Sequence, residues 1–148
     1  MINGYLLALC SGSSLDTNVK NFTLFNLIEN VGVPQEALAQ TLPFELHFYC
    51  LVEPGARNAD FEMRVVRVDE QGGSDPGDPL PFHTGEGSHF RMRAMAFRLP
   101  KAFGQYLLHV EWRRRGQEDW NVDPLVWPLS LGTLPQHEAQ AGSSNAMP

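Results

Sequence analysis

The sequence predicts an all-β fold, a two-sheet antiparallel sandwich of seven or eight short strands, on three observations. Apolar side chains occupy every second position in residues 44–52 and again in residues 105–113. A period of two puts one set of side chains on each face of a strand, one dry and one wet. The 13 glycines and 11 prolines indicate frequent turns, and no stretch has a convincing long helical period. A closed β-barrel is the alternative architecture.

Composition and charge indicate how many domains the chain forms and which classes of partner it can bind. A chain of 148 residues buries enough surface to fold as one domain, which we place at residues 1–132. Residues 133–148 hold almost no apolar side chains, so we expect a disordered C-terminal tail. The net charge of −6 argues against nucleic acid as a partner. The short apolar run near the N-terminus has no basic residue before it, so we expect no membrane association and a cytoplasmic protein.

The first third of the chain contains the clearest strand and the most ambiguous one. Residues 5–10 predict a buried strand that ends at a polar break, residues 11–14. Residues 22–33 fit a strand and a helix about equally, and we predict a strand. Residues 35–40 are compatible with one helical turn. Residues 44–52 form the clearest strand, and its inward set is Phe44, Leu46, Phe48, Cys50 and Val52.

The remaining strands show two losses of phase. In residues 61–68 the apolar set changes at Val65 and Val66, which predicts a β-bulge, although burial of both faces would give the same pattern. The second loss of phase falls in residues 94–97. Residues 90–97 and 105–113 predict a hairpin with Tyr106, Leu108, Val110 and Trp112 inward. Residues 80–82 predict an edge strand, and residues 125–131 close the domain.

The order of these features resembles an uncharacterised family of small bacterial proteins, known only as a domain of unknown function. The resemblance lies in residues 5–10 with the polar loop after them, residues 22–31, residues 44–52, and residues 90–112 with a corner at residues 103–106. It spans residues 5–131. Members resemble immunoglobulin-like sandwiches, so the resemblance implies an immunoglobulin-like fold. The family brings no catalytic residues with it.

Cysteines, histidines and hydroxyls give no catalytic or metal motif. Cys10 and Cys50 fall in apolar strand patterns and predict two buried free thiols, with a disulfide between them as the alternative. His47 and His109 fall on polar strand faces, where we expect exposed histidines. No HxH, CxxC or HExxH spacing is present, so we predict no metal site and no cofactor. A hydrolase using Ser13 or Cys10 is a weak alternative, because no pattern supplies a base.

Arginines and one tryptophan are the candidate binding residues. Arg64, Arg91, Arg93 and Arg113 are expected to project from the outer faces of strands, where an aligned set would suit carboxylate or phosphate groups. The alternative is cross-strand pairing with Glu45, Glu62 and Glu111. Trp112 is predicted to be core, whereas Trp120, in a charged loop, is either packed or an exposed anchor for a partner.

These residues favour a non-enzymatic protein-interaction or assembly module of a bacterial system. Its partner is another protein or a second copy of the chain in a homo-oligomer. Exposed strand edges and the arginine-bearing face motivate this hypothesis. The alternative is a β-sandwich that binds a small ligand or a carbohydrate through exposed aromatic residues such as Trp120 and Tyr49.

Overall fold

The computed structural model describes residues 1–134, which form eleven β-strands and two single turns of 3-10 helix. The strands are β1 Ile2–Leu15, β2 Phe22–Leu27, β3 Asn30–Val33, β4 Thr41–Val52, β5 Asp60–Asp69, β6 Ser74–Pro76, β7 Leu80–His83, β8 His89–Arg98, β9 Gly104–Arg114, β10 Asn121–Val122 and β11 Trp127–Thr133. The 3-10 turns are Gln35–Ala37 and Pro54–Ala56. The first of them lies in residues 35–40, where the sequence allowed one helical turn.

Two sheets form a sandwich-like fold. The four-stranded sheet has the order β2-β1-β4-β8. The seven-stranded sheet has the order β3-β11-β9-β5-β6, with β10 also paired to β9 and β7 also paired to β5. The all-β, two-sheet prediction is confirmed. Its strand number is wrong, because short segments such as β6 and β10 also pair. One described pair, β3 with β11, is parallel, so the sheets are not purely antiparallel.

The predicted inward alternation is confirmed by the core. Leu46, Phe48 and Cys50 of β4 are essentially inaccessible to solvent, as are Leu108 and Val110 of β9. Trp112 is also buried, as predicted. The core cluster draws on strands of both sheets. Period-two patterning therefore identifies the faces that meet between the sheets.

The N-terminal strand boundaries differ from prediction. β1 continues through residues 11–14, because β2 pairs along that stretch, with Ser13 opposite Leu24. The predicted single strand over residues 22–33 is two strands. β2 stays beside β1, whereas β3 joins the other sheet alongside β11. The helical alternative for this segment is wrong.

One of the two predicted irregularities is a bulge. The β5–β9 register is continuous from Phe61 opposite Arg114 to Asp69 opposite Tyr106, so the bulge predicted in β5 is wrong. Burial of both faces of β5 explains the lost phase, since Val66 is buried on the face away from Val65. The irregularity predicted in residues 94–97 is confirmed. The β4–β8 register shifts in that region, and Ala96 has a positive φ of 76°.

The predicted hairpin between residues 90–97 and 105–113 is wrong. β8 belongs to the four-stranded sheet and β9 to the seven-stranded sheet, so residues 99–103 cross between the sheets. Leu99 anchors this crossing in the core, and the Tyr106 hydroxyl donates a hydrogen bond to the Ala102 carbonyl at 2.6 Å. A short connection thus turns a corner of the sandwich instead of closing a hairpin.

Most of the predicted tail, residues 133–148, lies outside the described residues. Thr133, its first residue, is the last residue of β11, and residues 135–148 lie outside the described residues. Within the described part of the chain, none of the helical segments is long and apolar enough to cross a membrane.

Candidate functional site

The four-stranded sheet curls so that β2 lies over the outer face of β4. Strands in a flat sheet are about 4.8 Å apart, which would leave β2 about 14 Å from β8. Instead, the guanidinium carbon of Arg91 on β8 lies 4.8 Å from the centre of the Phe22 ring on β2. The Phe22 ring is also 5.6 Å from the Tyr49 ring and 6.4 Å from the His47 ring on β4. The curl therefore gives the sheet a second, smaller interior.

This second interior buries side chains that the sequence placed in water. Glu45 is 5 % exposed, Tyr49 is 6 % exposed and His47 is 0 % exposed. The prediction of an exposed His47 is wrong, because a period of two distinguishes faces but does not report what covers them. His109 lies half-buried on β9 of the other sheet, where it contacts Glu111. The two imidazoles are therefore not neighbours.

Three buried groups meet in this interior, and we call them the Cys10–Glu45–His47 cluster. Cys10 on β1 is directly opposite Glu45 on β4. The Cys10 thiol donates to Glu45 Oε2 at 3.9 Å, and His47 Nε2 lies 3.3 Å from the same oxygen. The candidate ligand atoms of the three residues all lie within 4.8 Å of one another. Strand pairing and side-chain alternation thus bring a thiol, a carboxylate and an imidazole together.

Further groups hold the cluster in place. His47 Nδ1 is 2.8 Å from the Tyr49 hydroxyl oxygen, which fixes the imidazole orientation. The Ser13 hydroxyl donates to Glu45 Oε1 at 3.4 Å, and Arg93 Nη1 lies 3.7 Å from that oxygen. The two oxygens of Glu45 therefore have separate partners, Oε1 on one side and the thiol and imidazole on the other.

Burial and charge perturb three pKa values here. Burial raises the pKa of the Cys10 thiol, and the nearby Glu45 carboxylate raises it further. Burial also acts to raise the pKa of Glu45, but hydrogen bonds with Ser13 and His47 and the Arg93 charge outweigh it, so that pKa is lowered. Burial raises the pKa of the Tyr49 hydroxyl against the opposing effect of Arg91. The cluster thus holds an ionised carboxylate beside a protonated thiol.

A cleft of about 340 Å³ opens beside this cluster, and we call it the Arg–aromatic cleft. Its lining residues are Leu15, Phe22, His47, Tyr49, Arg91 and Arg93. The Arg91 guanidinium also stacks over Tyr49 at 5.5 Å, and it donates to the Lys20 carbonyl at 3.1 Å. Within residues 1–134, no carboxylate lies within ion-pair distance of Arg91 (the Glu45 carboxylate pairs with Arg93). Arg91 therefore presents a stacked cation with an uncompensated charge.

The predicted binding residues fall into two separate groups. Arg91 and Arg93 lie on β8 and line the cleft, whereas Arg64 and Arg113 lie on the seven-stranded sheet. Arg64 pairs with Glu111 at 2.6 Å, and Arg113 pairs with Glu62 at 2.7 Å. These are the cross-strand pairs that the sequence allowed as the alternative.

Trp120 covers that second arginine group. The guanidinium carbons of Arg64 and Arg113 lie 4.2 and 4.1 Å from the centre of its ring. Its side chain is partly buried, so packing against its own chain accounts for its position. Sequence alone left packing and partner binding open for this residue.

The two cysteines are free and lie on opposite faces of their sheet. Cys50 points into the core between the sheets, and Cys10 points into the curl of the four-stranded sheet. The disulfide alternative is therefore wrong. Burial raises the pKa of Cys50 to about 12.

Sequence reasoning also missed Arg67, which is only 4 % exposed on the core side of β5. It lines a cavity of about 250 Å³ at an open end of the sandwich. Its guanidinium donates to the Arg98 carbonyl and pairs with Asp75 at 3.3 Å, while its Nε has no partner among the described residues. The sequence indicated this burial, because Arg67 alternates in step with Phe61, Met63 and Val65. Its side chain is therefore expected on the same, core-facing side of the strand.

Comparisons with known proteins place the chain in no family. No protein-family model matches it, and a search of curated proteins finds no match. Among solved structures, it is similar to a family 123 glycoside hydrolase from Clostridium perfringens with a TM-score of 0.36 and 10% sequence identity. The similarity covers 88% of this chain and 28% of the hydrolase chain. The chain therefore matches only a little over a quarter of that enzyme, and a similarity this low supports no inference about function.

Proposed function

We propose that this protein is a non-enzymatic interaction module that binds an extended acidic segment of a partner protein along β8. The observation that carries the proposal is the free edge of β8 beside the Arg–aromatic cleft. Within residues 1–134, β8 pairs only with β4, so its other edge offers unpaired backbone groups at alternate residues, as far as the Arg98 carbonyl, which accepts from Arg67. An extended segment could add to this edge as a further strand.

The side chains of β8 define what such a segment would carry. His89, Arg91, Arg93 and Met95 alternate on the outer face of the strand, because they lie opposite Leu51, Tyr49, His47 and Glu45. Side chains directly opposite one another on paired strands are about 5 Å apart. Acidic residues opposite Arg91 and Arg93 and an apolar residue opposite Met95 would therefore be complementary. Met95 is 59% exposed, which leaves it available for such a contact.

The same charges oppose self-association through this edge. Pairing two β8 strands across a two-fold axis would bring the arginines of the two copies close together. Like charges on paired strands are destabilising, so a second copy is a poorer partner than an acidic segment. Charged edge strands also resist unspecific pairing, which makes the edge selective.

The non-enzymatic part of the proposal is supported by the state of the two nucleophile candidates. The Cys10 thiol is fully buried with a raised pKa, whereas reactive cysteines are accessible and have lowered pKa values. The Ser13 hydroxyl has Glu45 and Arg93 as its hydrogen-bond partners. Both groups donate to the Glu45 carboxylate, whose lowered pKa makes it a weak base for activating either of them.

The immunoglobulin-like assignment belongs to the same proposal. Immunoglobulin domains place strands A, B and E in one sheet and strands C, F and G in the other. The orders β1-β4-β8 and β11-β9-β5 correspond to A-B-E and G-F-C. Tyr106, near the start of β9, hydrogen-bonds the carbonyl of Ala102, as the tyrosine corner of strand F does. A cytoplasmic setting is a further part of the proposal, supported by the free cysteines, and the bacterial setting rests on the resemblance described above.

The test is a titration of the labelled protein, followed by amide NMR, with two short strand-forming peptides. One carries leucine and two glutamates at alternate positions, and the other carries lysines in place of the glutamates. We expect the acidic peptide to perturb the amides of β8, and Arg91→Gln to weaken it about tenfold, because a charge-assisted hydrogen bond is lost. Arg115→Gln, in the exposed turn after β9, is the matched control. Equal binding of both peptides, or perturbation away from β8, would refute the proposal.

A small anionic ligand in the cleft is the second candidate. The volume of about 340 Å³ and the aromatic walls of Phe22 and Tyr49 favour it, because ligand pockets start at about this size. Benzoate and inorganic phosphate serve as probes in the same titration. Saturable shifts confined to cleft residues, with no effect of the acidic peptide on β8 amides, would favour this candidate over the first.

A further inference from the structure

We propose that Cys10, Glu45 and His47 form a three-residue binding site for a divalent transition metal, with zinc as the fitting ion. The three side chains are buried and their ligand atoms already converge. The proposal rests on this geometry and is independent of the peptide-binding function.

Two of the three distances between the ligand atoms are close to those of a tetrahedral zinc site, and the third, from the Cys10 sulfur to the His47 ring nitrogen, is within 4.8 Å. Bonds of about 2.0 Å to nitrogen and oxygen and about 2.3 Å to sulfur put tetrahedral ligand atoms about 3.3 Å (N to O) and about 3.5 Å (S to O) apart. His47 Nε2 and Glu45 Oε2 are 3.3 Å apart, and Cys10 Sγ and Glu45 Oε2 are 3.9 Å apart. Small side-chain rotations would close the remaining difference.

The surrounding hydrogen bonds match those that orient metal ligands. A metal-bound imidazole usually donates its other N–H to an oxygen, and the Tyr49 hydroxyl lies 2.8 Å from His47 Nδ1. In the metal-free protein Nε2–H donates to Glu45, and a bound metal would take the other tautomer, with Nδ1–H donating to Tyr49 and the Nε2 lone pair on the ion. Ser13 and Arg93 engage Glu45 Oε1, so Oε2 remains directed at the site. For Glu45, Oε2 is therefore the oxygen that has no partner outside the three proposed ligands.

The donor set and the charge select the ion. A thiolate, an imidazole and a carboxylate suit zinc, whereas calcium and magnesium prefer all-oxygen sites. On binding, the Cys10 sulfur–metal bond forms as the thiol proton leaves to solvent, and two negative ligands then balance the dication. Three protein ligands leave a fourth position for water, and the Arg–aromatic cleft reaches the site at His47.

Cobalt is the probe for the test, because a thiolate bound to Co²⁺ gives a charge-transfer absorption band in the near ultraviolet. The chain has two cysteines, so such a band comes from Cys10 or Cys50. We expect one equivalent of Co²⁺ to produce the band in the chain of 148 residues after treatment with a chelator. We expect Zn²⁺ to displace it, and to raise the melting temperature by about 8 °C at a hundredfold excess over its dissociation constant.

Matched variants identify the ligands. Cys10→Ser should abolish the band, while Cys50→Ala, which removes the other buried thiol, should keep it. Glu45→Gln keeps the size of the side chain but removes its charge, and should weaken Co²⁺ binding at least tenfold even if Cys10→Ser does not fold. Absence of a band in the wild type, its persistence in Cys10→Ser, or unchanged affinity in Glu45→Gln would each overturn the proposal.

Discussion

Replacing Gly4 with alanine should destabilise the protein strongly, because the space beside this residue is already filled. A Cβ atom at Gly4 would lie 2.5 Å from Cε2 of Phe48 and 2.7 Å from Oδ1 of Asp123. Neither neighbour can move into solvent, since both side chains are almost completely buried. The Gly4 amide also donates to Asp123 Oδ2 at 2.8 Å. This contact joins β1 of one sheet to the segment that follows β10 of the other.

The size of the loss in stability follows from the two side chains that can move to make room for the added methyl group. Displacing Asp123 would break a hydrogen bond to a charged group, which costs about 1.5–3 kcal/mol. Displacing Phe48 from its position in the core would cost about 1–3 kcal/mol as overpacking. Because both neighbours must give way to some extent, we expect the free energy of unfolding to fall by about 2–4 kcal/mol. For a domain of this size the melting temperature would then fall by about 6–12 °C.

Chemical denaturation followed by fluorescence and circular dichroism measures this change. Gly12→Ala is the matched control, because it changes another glycine of β1 where an added Cβ meets nothing within 4 Å. We expect Gly12→Ala to alter the free energy of unfolding by less than about 0.5 kcal/mol. If the two variants had the same stability, the close packing of Gly4, Phe48 and Asp123 would be wrong.

Three further predictions concern Tyr106, Trp120 and the Cys50 thiol. Tyr106→Phe should lower the free energy of unfolding by about 1 kcal/mol through loss of the hydrogen bond to Ala102, and an unchanged value would contradict this contact. Trp120→Ala should cost about 1–2 kcal/mol, from two cation–π contacts, and should leave binding of the acidic peptide unchanged. The pKa of Cys50 is raised from 9.0 to about 12 by burial, so the unfolded chain loses this proton first as the pH rises. Stability should therefore fall by about 1 kcal/mol more in the wild type than in Cys50→Ala between pH 9 and pH 10, and parallel curves would refute it.

The parts of the fold that could be predicted are those set by side-chain alternation. The inward residues of β4 and β9 follow from a period of two, because each strand has one face in the core. Strand pairing could not be predicted in the same way. β8 and β9 follow each other closely in sequence, as hairpin strands do, and the buried Leu99 in their connection sends them to different sheets.

The two places where the alternation is lost also show that strand pairing cannot be predicted from the local sequence. Lost alternation in residues 94–97 reflects a bulge, whereas lost alternation at Val65 and Val66 reflects burial of both faces of β5. The two causes give the same sequence pattern, because each puts an apolar residue at a position where strict alternation predicts a polar one. Hydrogen-bond register distinguishes them, and register depends on partner strands that the local sequence does not identify.

The candidate site depends on a further step that alternation does not encode, which is what covers the outer face of a sheet. Glu45, His47 and Tyr49 would have the same pattern on a solvated strand. One signal was available in residues 22–28, which contain more apolar residues than a strand with a solvated face needs. Phe22 covers β4 by packing on His47 and Tyr49, whereas Phe25 and Leu27 of the same strand stay exposed.

The curl of the four-stranded sheet gives one physical reason for both proposals. By covering β4, the β1–β2 hairpin removes Cys10, Glu45 and His47 from water, and buried polar groups must then bind one another or an ion. The same covering leaves β8 as the uncovered border, where Phe22 and Tyr49 hold the Arg91 guanidinium by its face. A cation stacked in this way keeps N–H donors at its rim available to a carboxylate. The buried cluster and the exposed edge share this hairpin and Arg93, whereas Cys10 belongs only to the cluster and Arg91 only to the edge, so Cys10→Ser and Arg91→Gln should separate metal binding from segment binding.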